Sequence, residues 1–413
     1  MSTPFTALLA SSVGNFIEWY DFAICGFMAT VLADLFFPSS SPAVSLLRTF
    51  AASALAFFFR PAGALAFGWL ADRSGRRTSL STALTLMAVS TTAIGCLPSY
   101  SQIGFWAPIL LIVCRIAQGI SAGGEFGGAV SFMMEYAPSR RRGLYSGWQS
   151  CTTGLAFVTG TATASAIGSI LTPDDMAAWG WRIPFLLGAP LGLVALYLRV
   201  KVAETPLFGH AHDEQPSLRL ATVIFALGTV VGWVCASQVF LIYMPTYLTT
   251  SLHLPIAQSL LAATAGNTTF AFLSPVFGWL SDRIGRKRLM VAACATVTAG
   301  SYPLFLLLEI RTPAAIVTAL AIGGVLVAAL AGPAAATLSE LFPTRYRATG
   351  SAASYGLAVA ALGGTAPIII TWLSSASGNH LAGAYYASAA ALISLGLLTP
   401  LSPTNHLGSL ADR

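Results

Sequence analysis

The sequence predicts an all-α membrane protein of twelve spanning helices, arranged as two related halves of six. Three observations carry this reading. The 413 residues are 55% hydrophobic and only 9% charged, where soluble domains carry about 25% charged residues. Apolar runs of about 20 residues, the length that crosses ~30 Å of hydrocarbon, recur along the whole chain. They centre near residues 23, 56, 88, 120, 156, 190, 232, 268, 299, 325, 359 and 391. Two polar loop sequences also return later in the chain at nearly constant spacing. Lipid forces backbone polar groups to be satisfied internally, which leaves helices or closed barrels. The runs are too long and too evenly apolar for barrel strands.

The first run contains GNFIEWYDF, which places Glu18 and Asp21 three residues apart on one helix face. An acidic residue at mid-bilayer costs roughly 2.5–3.5 kcal/mol on insertion scales, so intramembrane acids call for a function. The second run carries Arg60 before Pro61 and ends in FGWLADRSGRR, with Gly68, Asp72, Arg73, Gly75, Arg76 and Arg77. Gly75 permits a positive-φ turn and Asp72 can cap a nearby helix N-terminus. The arginines can pair with Glu135 at the end of the fourth run, which also holds Arg115 and Glu125. Glu125 lies in GGEFGG, where Gly123/Gly127 and Gly124/Gly128 form overlapping G-x-x-x-G pairs suited to close helix contact. The fifth run offers Gln149 as a substrate donor. The sixth opens with Trp179 and Trp181, expected in the interfacial aromatic belt.

The second half repeats the first. FGWLSDRIGRK, with Gly278, Asp282, Arg283, Gly285 and Arg286, answers the earlier loop, and ELFPTRYRA from Glu340 answers EYAPSRRRG from Glu135. Asp72 and Asp282 are 210 residues apart, and Glu135 and Glu340 are 205 apart. Two independent motifs at nearly one spacing indicate a tandem duplication. Residues 1–200 and 218–413 form the two six-helix bundles, and 201–217 the polar loop between them. Because six is even, both halves enter from the same side, and a transport site is expected at the midplane between them. The second half contributes neutral candidates to that site, namely Gln238, Tyr243, Asn267 and Tyr355, while every charge placed deep within a run belongs to the first half.

The net charge of +6 follows the topology. With both termini cytoplasmic, the inward loops hold Arg73, Arg76, Arg77, Arg140 to Arg142, Arg199, Lys201, Arg219, Arg283, Arg286, Lys287, Arg288, Arg345, Arg347 and Arg413. That is 16 of the 21 basic residues, as the positive-inside rule requires. No nucleic-acid partner is needed to explain them. The start, MSTPFTALLA, lacks the basic segment and cleavage site of a secretory signal. The six cysteines are scattered singly through apolar runs and read as small core residues, with no disulfide framework or metal spacing.

The repeated G-x-L-x-D-R-x-G-R-[RK] loop resembles that of the major facilitator superfamily, and Arg115-Ile-Ala-Gln118-Gly119 resembles its R-x-x-Q-G motif. GNFIEWYDF, RPAG at Arg60, GGE at Gly123 and WGWRIPF at Trp179 together resemble its metabolite:H⁺ symporter family, over nearly the whole chain. Cys25 stands where many members carry an aromatic residue. The resemblance implies the major facilitator fold and alternating access. The duplication of both the loop and its acidic partner reads as a latch that holds the outward-facing state and breaks as the halves rock, the alternative being charges that only anchor topology. The resemblance also makes Arg115 the partner of the Asp21 or Glu18 carboxyl in proton coupling, since its motif is linked to that role.

An apolar setting favours a protonated carboxyl and a nearby guanidinium favours an ionised one, a competition that suits a proton carrier. The alternative for each acid is a static buried ion pair, and Glu125 can be structural within its glycine seam. Arg60 either faces the cavity and attracts an anion or pairs with Glu18 or Asp21. No G-x-x-x-x-G-K is present to cradle a nucleotide, and no catalytic or metal-ligand set emerges at membrane depth. The expectation is therefore a transporter and not an enzyme, without cofactor, driven by the proton gradient through carboxylates. Its partners are H⁺, a small-molecule substrate and the lipid bilayer. A monomer in the bacterial inner membrane is expected.

The leading substrate expectation is a small carboxylate, such as a di- or tricarboxylate or a 2-oxo acid, drawn from the resemblance and from Arg60 and Arg115. Import of a zwitterion such as proline or betaine is the alternative, and drug/H⁺ antiport a third. Osmosensing members of the family carry a long charged C-terminal helix. The short stretch ending in NHLGSLADR leads to no expectation of that regulation. A non-transporting sensor would predict neither the duplicated latch nor the one-sided buried charges.

Overall fold

The computed structural model describes residues 4–74, 76–200, 220–342 and 347–399. Within them, the side chains of 4–11, 71–72, 76–77, 124–136, 139, 198–200, 220–221, 347–350 and 352–353 lie outside the description. The central loop expected at 201–217 is likewise outside it.

Spans are numbered 1 to 12 in chain order. Span 1 runs Pro4–Phe27, bends by 64° at Met28 and continues as Ala29–Phe36. Span 2 comprises Pro42–Phe58 and Arg60–Ser74, span 3 Arg76–Cys96, span 4 Trp106–Tyr136 and span 5 Arg142–Ile170. Span 6 is assembled from Arg182–Leu186 and Gly188–Val200. Span 7 consists of Leu220–Ser237, a π-helical turn at Gln238–Tyr243, and Met244–Thr250. Spans 8, 9 and 10 are Ile256–Ile284, Arg286–Glu309 and Pro313–Leu341. Span 11 comprises Arg347–Ala358, a π turn at Val359–Gly363, and Ala366–Ser377, and span 12 is Ala382–Leu398.

Among the described residues, nine helices have the length and hydropathy of a membrane crossing. The other three spans depart from that standard for physical reasons. Span 1 is broken at its bend, and span 12 has only 17 residues. Span 5 is rich in Gly, Ser, Thr and Gln because it meets protein along its length. Gly143 abuts Gly278 at one end of span 8, Gly147 abuts Ser274, Gly154 abuts Ala271, and Ser165 Oγ donates to the Ala257 carbonyl at the other end. Small residues on both helices let the backbones touch.

A second seam joins spans 2 and 4. A Cβ on Gly119 would stand 2.0 Å from the Ala56 carbonyl oxygen, and one on Gly123 1.9 Å from that of Arg60. The described glycine pair with a spacing of four is thus Gly119/Gly123, one turn before the expected Gly123/Gly127. Side chains meant for lipid cover the outer surface, with Leu65, Phe105, Ile170 and Leu193 each more than two-thirds exposed. Trp179 is 47% exposed, but Trp181 is fully buried against Phe36 and Phe185, so its expected place in the aromatic belt is corrected to the core. Four cysteines are buried as expected. Cys96 is exposed and Cys114 half-buried, and all six are free thiols.

Candidate functional site

A cavity lies between the halves, lined by residues of both. Span 1 contributes Asn15 and Trp19, and span 5 contributes Gln149, Ser150, Thr153 and Phe157. From the second half come Trp233 and Gln238 on span 7, Phe270 on span 8, and Tyr355 and Val359 on span 11. The π turns of spans 7 and 11 reach this wall, at Gln238 and at Val359. Such turns insert a residue into a helix and often mark functional sites.

The wall is aromatic and neutral. Trp19 meets Phe157 edge-on at 5.8 Å, Phe157 stacks on Phe270 at 6.4 Å, and Trp233 lies 5.5 Å from Tyr355. Asn15 Nδ2 donates to the Gln149 carbonyl and to Thr152 and Thr153 Oγ1, at 3.2, 2.7 and 3.0 Å. Gln149 Oε1 is buried without a hydrogen-bond partner among the described residues. Among the described residues, no charged side chain lines the cavity.

The predicted charges are buried close by. Arg60 Nη2 donates to Glu18 Oε1 at 3.0 Å, and both side chains are at most 5% exposed. The Arg60 guanidinium lies 5.8, 4.6 and 5.1 Å from the rings of Trp19, Phe22 and Phe57. Of the two readings for Arg60, the structure has the ion pair with Glu18. Arg115 Nη1 donates to Gln118 Oε1 at 2.7 Å, and Gln118 Nε2 donates to Thr91 Oγ1 at 2.7 Å. Arg115 Nη2 also reaches the Ser53 carbonyl at 3.3 Å. Asp21 is fully buried, its Oδ1 beside Gly188 in the first half, and does not appear among the described lining residues of the cavity. The Glu125 side chain lies outside the described residues.

The neutral candidates divide. Gln149, Gln238 and Tyr355 line the cavity. Tyr243 is buried off it, its hydroxyl 3.4 Å from Thr371 Oγ1 and its ring 6.0 Å from Phe50. Asn267 is buried with neither amide atom hydrogen-bonded among the described residues. The sequence reading missed Asn15, Trp19, Phe157, Trp233 and Phe270. Their signal was helical spacing, since Trp19 and Phe157 each lie one turn beyond a neutral polar residue, Asn15 and Thr153 respectively, on the same face.

At the arginine-rich end, the loop after span 8 docks on the first half. Asp282 accepts hydrogen bonds from the backbone N–H of Gly143 and Leu144 at 2.8 and 3.1 Å, capping the N-terminus of span 5. Arg286 contacts Asp282 at 3.5 Å and pairs with Glu340 at 2.5 Å, and Glu340 also faces Arg142 of span 5 at 3.9 Å. Gly285 adopts φ 94°, the conformation a glycine turn allows. Arg283 lies over the Trp279 ring at 3.9 Å and Arg73 over Trp69 at 4.3 Å. Gly278 is packed against Gly143, whereas a Cβ on Gly68, its counterpart, would meet nothing within 4 Å among the described residues. Gly75 and the side chains of Asp72, Arg76, Arg77 and Glu135 are outside the described residues. At the opposite end, Glu309 gathers Tyr247 at 2.8 Å and His380 at 3.1 Å within the second half.

Comparison with known proteins agrees with this architecture. A proline/betaine transporter of Escherichia coli K12 is 36% identical over 412 residues, covering 95% of this chain and 82% of the relative. A glycine betaine/proline/ectoine/pipecolic acid transporter of Dickeya dadantii is 36% identical over 414 residues, covering 96% and 82%. A crystal structure of a D-xylose–proton symporter superposes with a TM-score of 0.77 at 20% identity, over 98% of this chain and 99% of that one, a likeness of fold alone. The sequence profile of the Major Facilitator Superfamily matches residues 12–365. The chain is a multi-pass membrane transporter belonging to the Major Facilitator Superfamily.

Proposed function

We propose that this protein is a proton-coupled symporter of the bacterial inner membrane that imports a zwitterion of the proline/betaine type. The observation that carries the reading is the cavity wall, which is aromatic and amide-bearing and has no lining charge among the described residues. Trp19, Phe157, Trp233, Phe270 and Tyr355 offer ring faces to a cationic ammonium, whose attraction to aromatic faces needs no counter-ion. Gln149, Gln238 and Asn15 offer dipoles to a carboxylate. A di- or tricarboxylate would bring several negative charges to a wall with no cation, against the expense of desolvating them. The relatives named above, transporters of proline and betaine, point the same way.

With the arginine-rich end cytoplasmic, the Asp282 latch closes that face, and rocking of the halves about the cavity gives alternating access. Glu18 and Asp21 are the proton carriers, with Arg115 and Glu125 as their partners in the first half.

The test is uptake into liposomes under an imposed pH gradient, comparing labelled betaine, proline and citrate. Betaine or proline should accumulate and citrate should not. Trp233→Leu should weaken betaine binding about two- to thirtyfold, the range of a desolvated cation–π contact of ~0.5–2 kcal/mol. Accumulation of citrate without betaine or proline would refute the proposal.

A further inference from the structure

We propose that Gln149 makes the cavity favour zwitterions whose ammonium carries an N–H, such as proline, over fully N-methylated ones such as betaine. The inference rests on the zwitterion symport proposed above and names which members of that class the site fits best.

Gln149, Thr153 and Phe157 line the cavity at i, i+4 and i+8 of span 5, so Gln149 stands on the face that this helix turns to the substrate. The residue is 7% exposed, and its Oε1 is buried with no hydrogen-bond partner among the described residues. The donors around it are used elsewhere. Asn15 Nδ2 donates to the Gln149 backbone carbonyl and to Thr152 and Thr153 Oγ1. Three lining hydroxyls donate to main-chain carbonyls: Ser150 to Ala331 at 3.1 Å, Thr153 to Gln149 at 3.4 Å and Ser237 to Trp233 at 2.8 Å. An acceptor left unpaired at this depth costs free energy that a ligand N–H recovers.

An α-amino zwitterion has the chemistry to pair with this side chain. Its ammonium and carboxylate hang from one carbon, as Oε1 and Nε2 of the amide do, so one amide accepts from the first and donates to the second. A bond from the ammonium to Oε1 is charge-assisted and about twice as strong as a neutral one. Proline brings two such hydrogens. Betaine brings none, and its methyl groups would face Oε1 while keeping any other donor away from it. The rings of Trp19, Phe157 and Trp233 attract either cation, so the wall admits both ligands and Gln149 sets the order between them.

The test uses the full chain in liposomes, with binding followed by tryptophan fluorescence and by competition against counterflow of labelled proline. The probes are proline, N-methylproline and N,N-dimethylproline, which carry two, one and no N–H on the same ring. One hydrogen is enough for one acceptor, so the first two should bind within about threefold of each other and the third about tenfold more weakly. Gln149→Met keeps the length of the side chain and removes the acceptor. Whatever affinity all three ligands lose with the amide, the step between the second and third should disappear, because the ratio cancels the shared loss. A wild-type series without its main step at the second methylation, or a step that survives in Gln149→Met, overturns the inference. The wild-type series needs no variant, so it judges alone if Gln149→Met misfolds. If the wild type accumulates neither betaine nor proline under a pH gradient, the symport reading falls and this one with it. Accumulation without the step at the second methylation refutes the selectivity alone.

Discussion

Replacing Asp282 by alanine should shift the protein away from the state in which its arginine-rich end is closed. In that state the carboxylate accepts two backbone N–H groups of the opposite half, from Gly143 and Leu144 at 2.8 and 3.1 Å, while 7% exposed. These N–H groups begin span 5 and have no intrahelical acceptor, so the carboxylate acts as a cap aided by the helix dipole. Losing such a cap costs about 0.5–2 kcal/mol, and hydrogen bonds to a charged group are worth about 1.5–3 kcal/mol net. Once the ends part, water solvates both Asp282 and the N–H groups, so the loss falls on the closed state only. A shift of about 2 kcal/mol corresponds to about thirtyfold in the ratio of closed to open.

The assay is double electron–electron resonance between spin labels at Arg140 and Ile284, both exposed at that end, in a background with the native cysteines replaced. The open-distance population should rise by about that factor relative to the closed one. Asp282→Asn should fall between, because its amide oxygen still accepts one N–H but carries no charge. An unchanged distance distribution in Asp282→Ala would show that the cap does not bias the cycle.

Two further outcomes follow from packing. Gly119→Val, whose Cβ would sit 2.0 Å from the Ala56 carbonyl oxygen, should lose at least 1–3 kcal/mol of stability, as overpacked cores do. Gly68→Ala, with no neighbour within 4 Å, should melt within about 0.5 kcal/mol of wild type; thermal unfolding in detergent compares the two. Asn267→Leu removes a buried amide with neither atom hydrogen-bonded. It should raise the melting temperature, by the equivalent of about 1–3 kcal/mol, and slow turnover by deepening the closed state. A lower melting temperature would mean the amide has a stabilising partner after all.

What was legible in the sequence was what leaves a local mark. Each apolar run reports its own length, and the repeated loops report duplication, so twelve spans in two halves could be read directly. Charges at membrane depth were equally plain, and Glu18, Asp21, Arg60 and Arg115 are all buried. The cavity was not legible, because its wall depends on how helices rotate against one another. Trp19 and Trp233 look like any apolar residue of a spanning run until Asn15 or Gln238 shows which face turns inward. Asp282 was legible as a capping residue, but not that its partner would be span 5 of the other half. The carboxylate expectation came from counting Arg60 and Arg115 as available cations. Packing had already assigned one to Glu18 and the other to Gln118 and the Ser53 carbonyl.

The duplication also bears on why the buried charges are one-sided. Parts that both halves need in order to open and close persist in both copies of the sequence: a glycine, an aspartate and arginines at each loop. A proton has to be held only once per cycle, and an ion pair buried in each half would double the desolvation penalty without adding coupling. The second half therefore gains by presenting neutral surface, the rings of Trp233 and Tyr355 and the amide of Gln238, to whatever the cavity holds. Such a division works only if some group carries information across the seam between them. Trp19 of the first half and Tyr355 of the second share the cavity wall at that seam.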